Sequence, residues 1–203
     1  MKKQILKILL KMKKEFYENN NTMIQQLFFF ETYQYCFCNK CQSEDYGYYS
    51  INCVLELESE INKKIKIYDL LDNPLQMKDC EICKTKTLKS EIKFNSCPQL
   101  LIIVIKHNNN LKGKFHHIEK IELKNYVTKD NHDTNEYNLI SFIKNPPIEE
   151  EKKNGIIYCK SPVNNEWYKY EGLKCEKTNI KDIIKNEKSI PYLLIYQNKC
   201  VGE

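Results

Sequence analysis

Two cysteine doublets, Cys38-Asn39-Lys40-Cys41 and Cys80-Glu81-Ile82-Cys83, constrain this chain more than any other stretch. A Cys-x-x-Cys turn brings two thiolates to one point from a single tight loop, and two such turns complete the tetrahedral all-sulfur shell that structural zinc prefers. Cys38, Cys41, Cys80 and Cys83 are therefore expected to hold one structural Zn2+, and Cys36 stands close enough in sequence to replace Cys38. The competing reading is four ordinary buried or redox thiols. Residues 42–79 separate the doublets, more than a compact zinc ribbon needs, so the spacer must fold as an element of its own.

Ten cysteines would also suit a secreted disulfide scaffold. The start of the chain argues otherwise: Lys7 and Lys11 interrupt the apolar run that a secretory signal needs. No apolar run approaches a membrane span, so an intracellular location, cytoplasmic or nuclear, is expected, with no membrane partner. The 32 Lys+Arg and 27 Asp+Glu residues interleave without a block of one sign, and the net charge is +5. That pattern describes a solvated surface better than a nucleic-acid funnel. With 203 residues, 41% of them hydrophobic, the chain can bury one core and carry a zinc-stapled extension.

Ile5, Leu9, Met12 and Phe16 recur at helical spacing, so residues 4–18 are expected to form an amphipathic helix, ended by Asn19-Asn20-Asn21. Met23 to Phe30 is a second short apolar segment leading into the first doublet. In the spacer, Ser50 to Glu58 reads as one strand leaving the zinc knuckle, and Ile67 to Leu71 as a short helix that turns the chain back. Leu88 to Phe94 alternates as a strand. Leu100 to Ile105 is an unbroken apolar run behind Cys97-Pro98, which predicts a strand buried on both faces at the centre of the core. Further strands are expected at Ile118 to Leu123, Tyr137 to Ile143, Gly155 to Cys159, Glu166 to Tyr170 and Pro191 to Tyr196, with a short helix at Ile180 to Ile184. Pro146-Pro147 and the charged run Glu149 to Lys153 read as an exposed loop. Many strands with few helices predict an α+β fold with a mainly antiparallel sheet.

In this order the motifs resemble the ubiquitin-specific proteases, cysteine deubiquitinases of papain-like fold built as thumb, palm and fingers. The four cysteines match the fingers' zinc ligands. Cys97 to His107 is similar to the family's Leu-Pro-x-Ile-Leu strand, Tyr137-Asn138-Leu139 to its Tyr-x-Leu, Trp167 to Tyr170 to its Trp-Tyr-x-Phe, and Tyr192 to Tyr196 to its closing Tyr-x-Leu-Phe-Tyr. The resemblance implies a thumb remnant at 1–34, zinc-bearing fingers at 35–96 and a palm at 97–203, in a domain lacking the first half of the thumb.

It also implies where catalysis would reside. Such chemistry needs a thiolate, a histidine to take its proton and an Asp or Asn to orient the histidine. The family's histidine, in Gly-His-Tyr, falls on Ile156, and its acid near Gly172, with Glu171 as the alternative one residue earlier. Isoleucine cannot accept a proton, no histidine follows His132, and the cysteine motif would precede the thumb helix. His116, His117 and His132 read as surface residues, Cys53, Cys159 and Cys175 as buried or idle thiols, and Trp167 and Tyr168 as core aromatics. The expected function is thus a catalytically inactive relative that binds ubiquitin or acts as a protein-interaction scaffold, with self-association through the uncovered thumb side as a further expectation. The alternatives are a deubiquitinase represented by an incomplete chain, and a zinc-dependent nucleic-acid module using Tyr33, Tyr35 and Phe37.

Overall fold

The computed structural model describes residue 11 and residues 22–59, 65–72, 80, 82–84, 88–107, 115–116, 119–128, 135–144, 155–186 and 191–199. Of the expected first helix only Lys11 falls among them, and it is helical; the Pro146-Pro147 loop, His117 and His132 lie outside. No helix among the described residues is long and apolar enough to cross a membrane.

Both doublets stand at the end of one small sheet. Helix α1 (Thr22–Phe28) delivers the chain to β1 (Phe30–Cys38), which pairs antiparallel with β2 (Glu44–Asn52) and with β5 (Leu88–Phe94), giving the order β2-β1-β5. Aromatic and β-branched residues recur along β1, so it suits a pleated surface. On one face the tilted rings of Tyr33 and Tyr49 meet with centroids 4.6 Å apart; on the other the Thr32 and Ser50 hydroxyls meet at 2.9 Å and both accept from Asn52 Nδ2. At the base, Phe30 and Phe94 are buried with centroids 5.5 Å apart and join the main core. One end of the sheet is thereby anchored to the body, and the other carries the cysteines.

The expected single strand from Ser50 to Glu58 is two strands. The chain bends at Cys53 and Val54, leaves the small sheet at Asn52 and enters the large one as β3 (Leu55–Ser59). The bend lets Leu55 and Leu57 bury in the main core, which the small sheet alone cannot offer. β4 (Ile65–Lys66) pairs parallel with β7 (Phe115–His116). Helix α2 (Ile67–Asp72) follows, burying Ile67, Leu70 and Leu71 at the spacing of one helical face. It is pinned from outside: Tyr68 Oη accepts from the Glu122 N–H at 2.9 Å, and Tyr126 Oη donates to Asp72 Oδ1 at 2.5 Å.

The large sheet has the order β12-β11-β10-β9-β13-β6-β3. Its strands are β6 (Leu100–His107), β9 (Glu136–Lys144), β10 (Ile156–Lys160), β11 (Trp167–Glu171), β12 (Lys174–Thr178) and β13 (Pro191–Asn198), with β8 (Lys120–Glu122) beside β9. All pairings in it are antiparallel except β3 with β6. The fold is thus α+β and mainly antiparallel. Leu101 to Ile105 are all buried, as the unbroken apolar run requires, although β6 stands one strand from the edge and not at the centre. Leu101, Ile103 and Ile105 face the main core; Ile102 and Val104 face a second cluster with Ile143, Tyr192 and Leu193. Helix α3 (Ile180–Asn186) adds Ile180 and Ile183 to the main core.

Candidate functional site

The first doublet lies in the β1–β2 turn and the second just before β5, so the strand pairing brings together residues far apart in sequence. Each doublet makes the same turn. The Gln42 N–H donates to the Cys38 carbonyl at 2.8 Å, and the Lys84 N–H to the Cys80 carbonyl at 2.8 Å. The residue after each second cysteine, Gln42 and Lys84, takes φ of 55° in the left-handed region. Two equivalent knuckles therefore face one another.

Their four sulfurs lie within 4.8 Å of one another; Cys38 Sγ stands 3.5 Å from Cys83 Sγ, and Cys41 Sγ 3.6 Å from Cys80 Sγ. A zinc ion with bonds of about 2.3 Å places tetrahedral sulfurs about 3.8 Å apart, whereas a disulfide needs about 2.05 Å. The donor set fits structural zinc. Cys38 supplies one sulfur of this cluster, together with Cys41, Cys80 and Cys83. Cys38 and Cys80 are buried and Cys41 is exposed, so the centre is closed on one side and meets solvent on the other. The backbone N–H of Cys83 and the Ser43 hydroxyl hold the Cys80 thiol below its ordinary pKa, favouring the thiolate that metal requires. At Cys41 the Ser43 hydroxyl and amide pull the same way, but local desolvation within the cluster and the neighbouring Cys38 and Cys80 thiols leave it raised. When bound, zinc supplies a staple for the small sheet; the shell has no open position for chemistry on a substrate.

The second region of interest is the β9–β10–β11 surface. Ile156 begins β10, is half-buried and packs on the main core. It pairs across the sheet with Lys144 of β9. Lys144 is buried at 1% exposure, with its Nζ 5.5 Å from the Phe142 ring centroid and 5.7 Å from that of Tyr158. On the other side, β10 and β11 pair through Ile157 and Tyr170. One step further along both strands sets Ile156 beside Glu171. Glu171 Oε2 is 2.9 Å from Lys169 Nζ. Gly172 lies beyond, as the first residue of the two-residue β11–β12 turn, with φ of 61°. That turn position favours glycine, so Gly172 serves the hairpin, and Glu171 is the acid that the strand pairing sets beside Ile156.

Trp167 lies on the core side, with its ring 5.9 Å from Phe142. Tyr168 points to the opposite face, where its hydroxyl meets Glu166 and Asn164. There it lines a cavity of 360 Å3 with Tyr170, Cys159 and Cys175. Among the described residues no histidine or carboxylate lines that cavity, and Cys159 contacts the Ser141 hydroxyl at 3.2 Å. Cys53 is buried, as expected, whereas Cys175 is exposed. Ser43 and Lys144 are the site residues that sequence reasoning missed. Ser43 carries a faint signal, a hydroxyl two residues after a ligand; Lys144 carries none.

Residues 3–196 match the model of the ubiquitin carboxyl-terminal hydrolase family, and the chain belongs to that family. Its fold is that of the ubiquitin-specific-protease type of deubiquitinase, as three solved structures illustrate. The SAGA Ubp8/Sgf11/Sus1/Sgf73 DUB module bound to ubiquitin aldehyde gives a TM-score of 0.66 at 19% identity, covering 96% of this chain and 48% of that one. A yeast SAGA DUB module carrying a mutant Sgf73 gives 0.67 at 19% identity, covering 93% and 45%. The Ubp8/Sgf11/Sus1/Sgf73 module bound to monoubiquitin gives 0.63 at 19% identity, covering 87% and 42%. The chain thus spans less than half the length of each. No curated protein matches its sequence.

Proposed function

We propose that this chain is a non-cleaving member of its family, a zinc-stapled palm-and-fingers module that binds ubiquitin or serves as a protein-interaction scaffold. The observation that carries the reading is Ile156. It stands where the family's histidine is expected, and its side chain packs into the core beside buried Lys144. A hydrocarbon cannot take a proton from a nucleophile, whatever segment or partner supplies the thiol. Support for the ubiquitin partner comes from structures of similar fold, which hold ubiquitin aldehyde and monoubiquitin; that they also hold Sgf11, Sus1 and Sgf73 supports the scaffold alternative.

One observation favours a second reading, that of a deubiquitinase. Glu171 keeps a carboxylate next to Ile156, where an orienting acid would be useful. The two readings separate in a hydrolysis assay with a fluorogenic ubiquitin substrate, run on this chain and on an upstream-extended form. The non-cleaving reading expects no turnover above buffer from either; turnover abolished by a thiol-alkylating reagent overturns it.

A further inference from the structure

We propose that Ser43 is a positioning residue of the metal centre, its hydroxyl donating a hydrogen bond shared between one thiolate of each knuckle. The inference rests on the zinc assignment and goes beyond the four ligands. Ser43 Oγ stands 3.0 Å from Cys41 Sγ and 3.5 Å from Cys80 Sγ. Those sulfurs belong to different doublets, 39 residues apart in sequence, so one hydroxyl ties the two halves of the site together. The backbone of Ser43 is itself fixed, because its carbonyl accepts from the Cys38 N–H at 2.9 Å and closes the first knuckle.

The direction of the bond follows from the metal. A zinc-bound thiolate carries no proton and can only accept, so the serine hydroxyl must be the donor. Four thiolates on a divalent ion leave an excess of negative charge, and each donor aimed at a sulfur relieves part of it. Cys80 is already served by the backbone N–H groups of Cys83 and Ile82, and is buried. Cys41 is the exposed ligand, the sulfur that water, chelators and electrophiles reach first. The shorter of the two Ser43 contacts goes to that sulfur. Ser43 accordingly sets how tightly the exposed side of the centre holds its metal and how slowly Cys41 reacts.

The test replaces zinc with cobalt(II), whose visible bands report a tetrathiolate shell without any activity assay. Ser43→Thr keeps the hydroxyl, and Ser43→Val matches the shape of threonine without it. The wild-type chain and the Thr variant are expected to bind one cobalt with the same affinity. The Val variant is expected to bind one cobalt about 10-fold more weakly, with Cys41 of the zinc-loaded form alkylated faster by N-ethylmaleimide. A Val chain that folds only in excess metal, beside a Thr chain that folds like wild type, supports the proposal equally. Equal affinity and equal alkylation in Thr and Val overturn it while leaving the zinc site standing. Absence of cobalt uptake by the wild-type chain overturns the zinc assignment and the role of Ser43 with it.

Discussion

Lys144 and Ile156 are cross-strand partners on β9 and β10, the lysine buried over the Phe142 and Tyr158 rings and the isoleucine packed against the core. The pair explains why position 156 suits packing better than proton transfer. An imidazole there would be partly desolvated and would sit beside a cation, and both effects disfavour its protonated form.

Ile156→His should therefore destabilise the fold, by about 1–3 kcal/mol for a polar group buried without a designed partner. It should also confer no hydrolysis of a ubiquitin substrate. Urea denaturation of the variant measures the first effect. An unchanged midpoint would mean that β10 does not need the isoleucine.

The zinc staple acts on one sheet. Strands β1, β2 and β5 hold the ligands at one end and are anchored at Phe30 and Phe94 at the other. Cys80→Ser removes a buried ligand, and structural zinc contributes on the order of 10 kcal/mol of apparent free energy. Hydrogen exchange should show the upper part of that sheet losing protection, while β6, β9 and β13 keep theirs. Equal protection in both sheets, with or without a chelator, would contradict the staple.

Gln42 and Lys84 each take a positive φ without being glycine. The left-handed region costs a side chain about 1–2 kcal/mol, and glycine repays about 0.5–1 kcal/mol of that in chain entropy. Lys84→Gly should thus raise the stability of the zinc-loaded protein, by up to about 1 kcal/mol. Thermal melts with zinc held constant provide the measurement, and a lower melting temperature would count against the knuckle geometry.

Burial holds Tyr126, Tyr137 and Tyr196 above the ordinary phenol pKa, with Asp72 adding to the effect at Tyr126. The folded protein keeps protons that the unfolded chain releases near pH 10. Their contribution is complete below pH 10 and declines as pH rises above it. Denaturation midpoints should accordingly be insensitive to these groups at neutral pH and fall steeply above pH 10. Tyr137→Phe should flatten part of that fall, and because it leaves the Pro98 carbonyl without its 2.6 Å donor, should also cost about 1–3 kcal/mol at neutral pH.

Much of this architecture is legible in the sequence where burial imposes a period. The apolar run ending at Ile105, rich in Ile and Val and preceded by Pro98, argues for a strand covered on both sides, and Leu88 to Phe94 alternates over the very residues that form β5. The paired doublets located the metal centre because zinc demands both residue type and spacing. Strand β12 escaped notice because Lys174 to Lys177 are all exposed, so no apolar pattern marks it. The division of Ser50 to Glu58 into two strands was hidden because the alternation continues through the bend at Cys53 and Val54. Lys144 depends on contacts made across the sheet, which no local spacing encodes, and Ser43 shows only the faint signal of a hydroxyl two residues after a ligand.

The most direct measurement is a titration of isotope-labelled ubiquitin with the zinc-loaded chain, following ubiquitin's amide shifts by NMR and the integrity of its C-terminus by mass spectrometry. Binding without cleavage predicts saturable shifts on one contiguous face of a ubiquitin that stays intact when supplied as a C-terminal amide conjugate. Release of the conjugate would contradict the non-cleaving claim, and unshifted spectra from a folded, zinc-loaded chain would contradict ubiquitin as its partner.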